Sequence, residues 1–235
     1  MVYAEIVIPC YNESENINLL FAACSKVVEK SDFTINFIFV DNGSTDNSYS
    51  LMNKLDNHSD HIKFLHLPVN QGYGGGILAG LRITKAPIIG WTHADLQTPI
   101  GDCLIGLNLM DTDYGVVKGI RRGRAQIDRF FSRSMELFES ILFGFKLNEI
   151  NAQPTLIRRE FFEGWDDPPK DFSLDLYALV MAEKHNIGIE RFSVQFLPRQ
   201  FGNSKWNLDF KSRIKFIIRV INYSVNLRRV INENL

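Results

Sequence analysis

The sequence predicts an α/β fold with a mostly parallel sheet flanked by helices. Short apolar runs rich in β-branched and aromatic residues alternate with stretches of helical periodicity, which is typical of βαβ units. The length of 235 residues also suits one large domain with a smaller appended piece. The runs predicted as strands are residues 6–8, 35–40, 62–67, 87–91 and 114–117.

Helices are predicted between and after these strands. Apolar residues recur at helical spacing from Ile17 to Val28, and Asn12 and Glu15 have the spacing of a capping box, so the first helix is expected to begin at Asn12. Glycines at 72–76 precede another helix, where they would let backbone N–H groups approach an anion or would form a flexible turn. Further elements are predicted as helices near 44–46, after 99, over 126–145 and over 174–185, and as a strand near 189–196.

The composition argues against several classes of protein. A formal net charge of -1 gives no general attraction to nucleic acid, so no nucleic-acid partner is expected. The three cysteines, Cys10, Cys24 and Cys103, form neither a disulfide framework nor a C-x-x-C motif, which fits a reducing cytoplasmic location. The sequence also shows neither a signal-peptide pattern nor the roughly 20 consecutive apolar residues that span a bilayer.

Polar segments follow three of the predicted strands, and a fourth lies near the end of the predicted domain. They occupy residues 9–13, 41–46, 93–97 and 199–205. Because ligands bind outside the carboxyl ends of strands in an open α/β sheet, the first three segments should converge on one crevice. Asp95 ends an apolar run, where a carboxylate is costly to bury without a cation. Mg²⁺ or Mn²⁺ would meet that need with Gln97 nearby, unless Asp95 caps the following helix.

Six short motifs are distributed over about residues 4–206. They are Ile-Pro-Cys-Tyr-Asn-Glu at 8–13, Val-Asp-Asn-Gly-Ser at 40–44, Asn-Gln-Gly-Tyr-Gly at 70–74, Ala-Asp-Leu-Gln at 94–97, Gly-Ile-Arg at 119–121 and Arg-Gln-Phe-Gly-Asn-Ser-Lys at 199–205. In this combination the chain resembles the inverting glycosyltransferases of family 2, and most closely the dolichyl-phosphate and polyprenyl-phosphate mannosyl- or glucosyltransferases. The resemblance implies a GT-A catalytic domain over 1–206, followed by an amphipathic helical tail over 207–235.

The resemblance also implies roles for individual residues. The set that would bind the nucleotide-sugar comprises Pro9, Tyr11, Glu13, Val40, Asp41, Asn42, His93, Ala94, Gln97 and Arg121. Within this set, Val40 and Asn42 would contact the base, and Ala94 and Gln97 would meet ribose and diphosphate. Asp95 would hold the metal, Mg²⁺ or Mn²⁺. Arg121, Arg199 and Lys205 would bind phosphate or an anionic acceptor, where basic groups offset the charge of the leaving diphosphate.

Two residues depart from the pattern of the family. Asn42 and His93 stand where relatives usually have Asp. An amide both donates and accepts hydrogen bonds, which favours uracil or cytosine over guanine. His93 removes one negative charge, which would lower the affinity for metal, or it would hydrogen-bond the donor itself. An inactive relative is therefore also left open.

The class of acceptor stays open at the level of sequence. A lipid phosphate is already an anionic nucleophile, whereas a sugar hydroxyl needs a carboxylate to take its proton. Asp175 is the candidate for such a base, with Asp171 one helical turn earlier, although either could be an ordinary carboxylate at a helix amino terminus. The segment 151–155 reads Asn-Ala-Gln-Pro-Thr, where the polyprenyl-phosphate branch often has Gly-Phe-Arg.

These observations predict a metal-dependent inverting glycosyltransferase of cell-envelope glycan biosynthesis. It would transfer a sugar from a nucleoside-diphosphate-sugar to a polyprenyl phosphate or a glycan. The basic amphipathic tail could touch the cytoplasmic face of a membrane, pack on the domain or form a homodimer contact. Two alternatives are a non-catalytic nucleotide-sugar-binding scaffold and, less favoured, a sugar nucleotidyltransferase, which would generally open with a glycine-rich phosphate loop.

Overall fold

The computed structural model describes residues 2–110, 115–123, 126–201 and 210–233. The strands in these residues are β1 (Ala4–Cys10), β2 (Ile35–Asn42), β3 (Ile62–Leu67), β4 (Ile88–Trp91), β5 (Val116–Arg122), β6 (Thr155–Arg158) and β7 (Ile189–Gln195). The helices are α1 (Ser14–Lys30), α2 (Ser48–Leu55), α3 (Tyr73–Ile83), α4 (Asp102–Met110), α5 (Gln126–Phe143), α6 (Arg159–Glu163), α7 (Leu174–Lys184) and α8 (Phe210–Glu233). The predicted α/β class is confirmed, and each predicted strand overlaps an observed one.

The strands form one seven-stranded sheet in the order β3-β2-β1-β4-β6-β5-β7. Neighbours pair in parallel along β3-β2-β1-β4 and again between β5 and β7. Strand β6 runs antiparallel to both β4 and β5. The sheet is therefore mostly parallel, as predicted, and β1, β2 and β4 end at the same edge.

The core lies on both faces of this sheet because the central strands are buried on both sides. Alternate residues of β1 and β2 point to opposite faces, so Ile6 and Phe37 join a cluster with α1, α2 and α4. Val7 and Ile38 face the other way and pack against α3 and α7. Cys10, Cys24 and Cys103 are buried, free members of the first cluster.

Residue contacts divide the chain into two compact units. The sheet unit comprises Met1–Gly123 and Asn151–Phe201, and the helical unit comprises Arg124–Ile150 and Gly202–Leu235. The predicted helical tail appears as α8, which packs with α5 inside the helical unit. There the Ser224 hydroxyl donates to the buried Glu139 carboxylate at 2.7 Å. None of the described helices is long and apolar enough to cross a membrane.

The capping box predicted for α1 is wrong. The helix begins at Ser14, and Asn12 has a left-handed backbone with φ 56°. The Asn12 amide instead accepts from the Thr45 backbone N–H at 2.8 Å and donates to the Thr45 hydroxyl at 3.1 Å. A contact between two loops thus takes the side chain that local spacing assigned to the helix. Helix α2 similarly begins at Ser48, after the predicted start near 44–46.

The glycine-rich segment continues into α3 rather than forming a loop. Another stretch of backbone lies against these glycines, because the Gly75 N–H donates to the Lys170 carbonyl at 2.9 Å. A Cβ on Gly74 would lie 2.5 Å from the Pro169 carbonyl oxygen and 2.7 Å from that of Asp171. The anion site predicted at these glycines is therefore wrong, because protein carbonyls occupy the space beside them.

Replacing Gly74 by Ala should destabilise the sheet unit. The new methyl group would overlap backbone atoms that do not move independently, a cost of about 1–3 kcal/mol. The expected result is a melting temperature lower by roughly 3–10 °C. Gly101→Ala is the matched control, because a Cβ there would meet nothing within 4 Å. Equal melting temperatures for the two variants would contradict the close approach at Gly74.

Candidate active site

The carboxyl ends of β1, β2 and β4 bring the predicted polar segments to one edge of the sheet. The segments after β1 and β2 are joined directly, because the Ser44 hydroxyl accepts from the Asn12 N–H at 3.0 Å and the Ser48 hydroxyl accepts from the Glu13 N–H at 2.9 Å. Pro9, Tyr11 and Glu13 are half-buried along this edge. The predicted residues on β1 and β2 are thus held together by hydrogen bonds between their loops.

Asp41 and Val40 are both buried at the end of β2. The Asp41 carboxylate lies 2.7 Å from the His66 imidazole and accepts from the Ser44 N–H at 3.2 Å. The Val40 side chain is fully buried, and a Cβ on Gly80 of α3 would lie 3.0 Å from it. Both side chains therefore shape the end of β2 from inside the protein.

Asn42 holds the loop that precedes α3. Its amide oxygen accepts from the Gln71 N–H at 2.9 Å, and its amide nitrogen donates to the Gly72 carbonyl at 2.8 Å. Gly72 needs its φ of 82°, which favours glycine. An ionised carboxylate could accept at this position but not donate. The departure from Asp at position 42 thus has a local structural reason.

Asp95, Gln97 and Arg199 lie together beyond β4. The Arg199 guanidinium contacts the Asp95 carboxylate at 2.6 Å, and the second carboxylate oxygen accepts from the Gln97 N–H at 3.1 Å. The Gln97 side chain donates to the Leu197 carbonyl at 3.1 Å, and the Leu197 N–H donates to the Gln97 carbonyl at 2.7 Å. Ala94 is buried beside them. Lys205, the other predicted phosphate ligand, lies outside the described residues.

His93 and Arg121 lie at the same edge of the sheet. Burial lowers the pKa of His93, and nearby Asp95 and Asp175 oppose that shift only in part, so the imidazole is neutral at pH 7. Its ring lies 5.8 Å from that of Tyr73. The Arg121 guanidinium lies over the Phe196 ring at 5.9 Å. His93 is consequently a hydrogen-bonding group here and not a cation.

Asp175 lies beneath this edge and is only 1% exposed. Its carboxylate accepts from the Lys118 ammonium at 3.1 Å, the Gln153 amide at 2.9 Å, the Trp91 indole at 3.2 Å and the Tyr73 hydroxyl at 3.0 Å. Asp171 accepts from the Ser173 N–H at 2.9 Å and so caps the turn before α7. These contacts favour a structural role for Asp175 over that of a general base.

Lys118 is a residue that the sequence reasoning missed. Its side chain is fully buried, and burial lowers its pKa to about 8 against the opposing effect of Asp175. Its ammonium also donates to the Thr155 hydroxyl at 2.6 Å. The sequence contains one signal that Lys118 is buried, because it follows two valines in a strand. A lysine whose side chain points into a core needs a charged or hydrogen-bonding partner.

Comparison with known proteins identifies the family. The pattern of the family described as "Glycosyl transferase family 2" matches residues 5–166. The chain belongs to glycosyltransferase family 2. Among its relatives are the undecaprenyl-phosphate 4-deoxy-4-formamido-L-arabinose transferases of Yersinia pestis (strain Pestoides F) and Yersinia pseudotuberculosis serotype O:3 (strain YPIII), each 28% identical over 212 residues. The match covers 86% of this chain and 62% of each relative, so the chain spans less than two thirds of their length.

Solved structures with a similar fold agree with the GT-A fold of this chain. Glucosyl-3-phosphoglycerate synthase from Mycobacterium tuberculosis, in complex with Mn²⁺, uridine diphosphate and glucosyl-3-phosphoglycerate, is similar with a TM-score of 0.71 and 17% identity, covering 97% of this chain and 80% of that one. The same enzyme with Mg²⁺ and uridine diphosphate also has a TM-score of 0.71 and 17% identity, covering 96% and 80%. At this identity the likeness concerns the fold alone.

The side-chain donor atoms at this edge of the sheet suit a metal that arrives with a diphosphate. Among the described residues, no group of three or more His, Cys, Asp or Glu side chains could hold a metal ion. Asp95 offers one carboxylate at the site edge, and Mg²⁺ or Mn²⁺ commonly takes one or two carboxylates and completes its shell with water and phosphate oxygens. The residues present therefore fit a divalent cation shared with the substrate.

Substituting Asn42 by Asp should loosen the loop before α3. The change removes the hydrogen bond to the Gly72 carbonyl and places a negative charge 2.8 Å from that oxygen, at a cost of about 1–3 kcal/mol. We expect a melting temperature lower by roughly 3–10 °C at pH 8. The deficit should shrink as the pH is lowered to 5, because a protonated carboxyl can donate again. Asn53→Asp, on the exposed side of α2, is the control and should show neither effect.

Proposed function

We propose that this glycosyltransferase transfers a sugar from a nucleoside-diphosphate-sugar to a polyprenyl phosphate. The observation that carries the proposal is the contact of Asp95 with Arg199 at the carboxyl end of β4, beside Gln97. The Asp95 carboxylate suits a divalent cation, and the Arg199 guanidinium suits a phosphate group. Both lie at the carboxyl end of a strand, where the diphosphate of the donor is expected to bind. The acceptor follows that of the Yersinia relatives, which are named undecaprenyl-phosphate transferases.

In this proposal, different residues of the crevice contact different parts of the donor. Pro9, Tyr11 and Glu13 line the nucleotide pocket, while Asn42, Val40 and Asp41 support the base from the end of β2. Bound Mg²⁺ or Mn²⁺, held by Asp95, would stabilise the charge that develops on the leaving diphosphate. Arg199 and Arg121 would offset the same charge. Gln97 and Ala94 would meet the ribose and diphosphate, and neutral His93 would hydrogen-bond the donor.

The surroundings of Asp175 support a phosphate acceptor over a sugar hydroxyl. A hydroxyl acceptor needs a base with a free lone pair, whereas a phosphate is already an anion and attacks without one. The Asp175 oxygens receive hydrogen bonds from four side chains and are almost entirely shielded from solvent. A uridine nucleotide is the donor we would try first, because the Mycobacterium tuberculosis enzyme binds uridine diphosphate with Mn²⁺ or Mg²⁺.

The test is a transfer assay with UDP-, GDP-, CDP- and TDP-sugars, a short polyprenyl phosphate, and Mn²⁺ or Mg²⁺. We expect one donor class to give lipid-linked sugar, and Asp95→Asn to lower kcat by about 10²–10³ with little change in melting temperature. Asp32→Asn, which removes an exposed carboxylate after α1, is the control and should be unaffected.

Each other outcome would contradict a different part of the proposal. Wild-type turnover by Asp95→Asn would remove the metal assignment. Product with a glycan acceptor, and none with polyprenyl phosphate, would overturn the acceptor. Nucleotide binding with neither transfer nor hydrolysis would favour the non-catalytic scaffold.

We further propose that the helical unit contacts the cytoplasmic face of a membrane, where a polyprenyl phosphate is found. Leu137 and Ile141 lie one turn apart on α5 and are 63% and 74% exposed. Arg133 and Lys146 line the same open groove as these two residues. Exposed apolar side chains flanked by basic ones are typical of a helix that lies in a membrane interface.

The double variant Leu137→Ser/Ile141→Ser should lose binding to anionic vesicles. Removing both apolar side chains takes away the buried contact, whereas raising the salt concentration should weaken only the contribution of Arg133 and Lys146. Co-sedimentation with vesicles containing phosphatidylglycerol measures the effect, and Ile105→Ser on α4 is the control, because Ile105 is 49% exposed in the sheet unit. Equal binding by all three proteins would contradict membrane contact through α5.

A further inference from the structure

The least expected group in the sheet unit is the buried ion pair of Lys118 and Asp175. Their side chains are 0% and 1% exposed, and their charged atoms lie 3.1 Å apart. Taking two charges out of water is expensive, and apolar residues of similar volume often serve stability equally well. Stability alone therefore gives a weak reason for an ion pair at this place.

The pair connects five separate segments of the chain. Asp175 comes from the first turn of α7, and Lys118 comes from β5. Tyr73 opens α3, Trp91 ends β4, and Gln153 precedes β6. The Gln153 amide also donates to the Tyr73 hydroxyl at 3.1 Å, so the donors contact one another as well as the carboxylate.

Three of these segments lead directly to a residue of the proposed donor site. Trp91 lies two residues before His93, and Lys118 lies three residues before Arg121 on the same strand. Tyr73 follows the loop that Asn42 holds. The Tyr73 ring also stacks on Phe172 at 4.6 Å, just before α7. One buried carboxylate thus fixes the base of three donor-binding segments.

We propose that Lys118 and Asp175 are positioning residues that preset the donor site through Tyr73 and Trp91 and do not touch the substrate. The inference rests on the proposed transfer reaction and concerns the residues beneath its site. A site whose groups are already placed loses little free energy to reorganisation when the donor binds, and small displacements lower the rate steeply. The Lys118–Asp175 pair supplies this rigidity because the carboxylate needs all of its donors at once.

The charge of Lys118 gives the pair a pH dependence. Burial lowers its pKa to about 8. The other charged or titratable groups near it are Asp175, Arg121, Arg191, Tyr73 and His93. Burial raises the pKa of Tyr73 well above its usual value and lowers that of His93, so both are neutral between pH 7 and 9. Within that window, Lys118 is the group of this network that changes charge. Because the ion pair is lost when Lys118 loses its proton, wild-type kcat should fall as the pH rises through about 8.

The test compares Lys118→Met, Asp175→Asn and the double variant Lys118→Met/Asp175→Asn. Lys118→Met leaves a buried carboxylate without its cation, and its melting temperature should fall by roughly 10 °C. The double variant has no buried charge, so its melting temperature should return to within a few degrees of the wild type. Its kcat should stay on the order of tenfold to a hundredfold below the wild type, without a decline near pH 8.

The matched control is Glu5→Gln/Lys63→Met. This variant removes another carboxylate–lysine pair, 3.6 Å apart, near the amino-terminal ends of β1 and β3. Its kcat and pH profile should equal those of the wild type. A double variant Lys118→Met/Asp175→Asn with wild-type kcat would overturn the positioning role and leave the pair purely structural.

A binding measurement separates this inference from the proposed reaction. Calorimetry with UDP and Mn²⁺ should give an affinity on the order of tenfold weaker for the double variant than for the wild type, if the donor segments are misplaced. Failure of the wild type to transfer sugar would remove the proposed function. The binding comparison would then decide the inference by itself, because equal affinities would overturn it and a weaker affinity would sustain it.

Discussion

The candidate site depends on one buried carboxylate, that of Asp175, which must receive hydrogen bonds from all of its donors. That need explains features that otherwise look unrelated. Gly74 lacks a side chain because the backbone before α7 must approach α3 for Tyr73 to reach Asp175. Strand β6 lies between β4 and β5, where Gln153, just before it, can meet the same carboxylate as Trp91 and Lys118. A loss at any of these points would leave a charge or a donor buried without its partner, which is costly.

A neutral residue at position 93 suits the balance of charge at this edge. Among the described residues that act directly on His93, Asp95 and Asp175 are negative and Arg121 and Lys118 are positive, and Arg199 pairs with Asp95, so in this group two negative charges face three positive ones. With His93 neutral, the balance is positive by one. An Asp in its place would cancel that excess. A site with an excess of positive charge favours a diphosphate, so the departure from Asp is compatible with donor binding.

The parts of the structure that follow from local pattern could be predicted, and those set by distant contacts could not. Alternating apolar runs located β1 to β4, and therefore the edge of the sheet at which Asn42 and Asp95 lie. Strand β6 follows a polar stretch, and its four residues include only two apolar ones, Leu156 and Ile157, so no apolar run marks it. Asn12 has the spacing of a helix cap but pairs with Thr45. Lys118 finds Asp175 57 positions away, and no local pattern encodes such a pair.

In the proposed donor site, the contact between Arg199 and Asp95 would link metal binding to donor binding. The Arg199 guanidinium already contacts one carboxylate oxygen of Asp95 at 2.6 Å. A divalent cation must therefore compete with the guanidinium for that oxygen. A diphosphate offers Arg199 another anionic partner, one whose oxygens match the guanidinium fork, and it offers the cation further ligands. Bound cation and bound diphosphate would then each lower the free-energy cost of binding the other. By linkage, the affinity for metal would rise with bound nucleotide by the same factor as the affinity for nucleotide would rise with bound metal. A single carboxylate can therefore serve where a preformed cluster of acidic ligands would otherwise be needed.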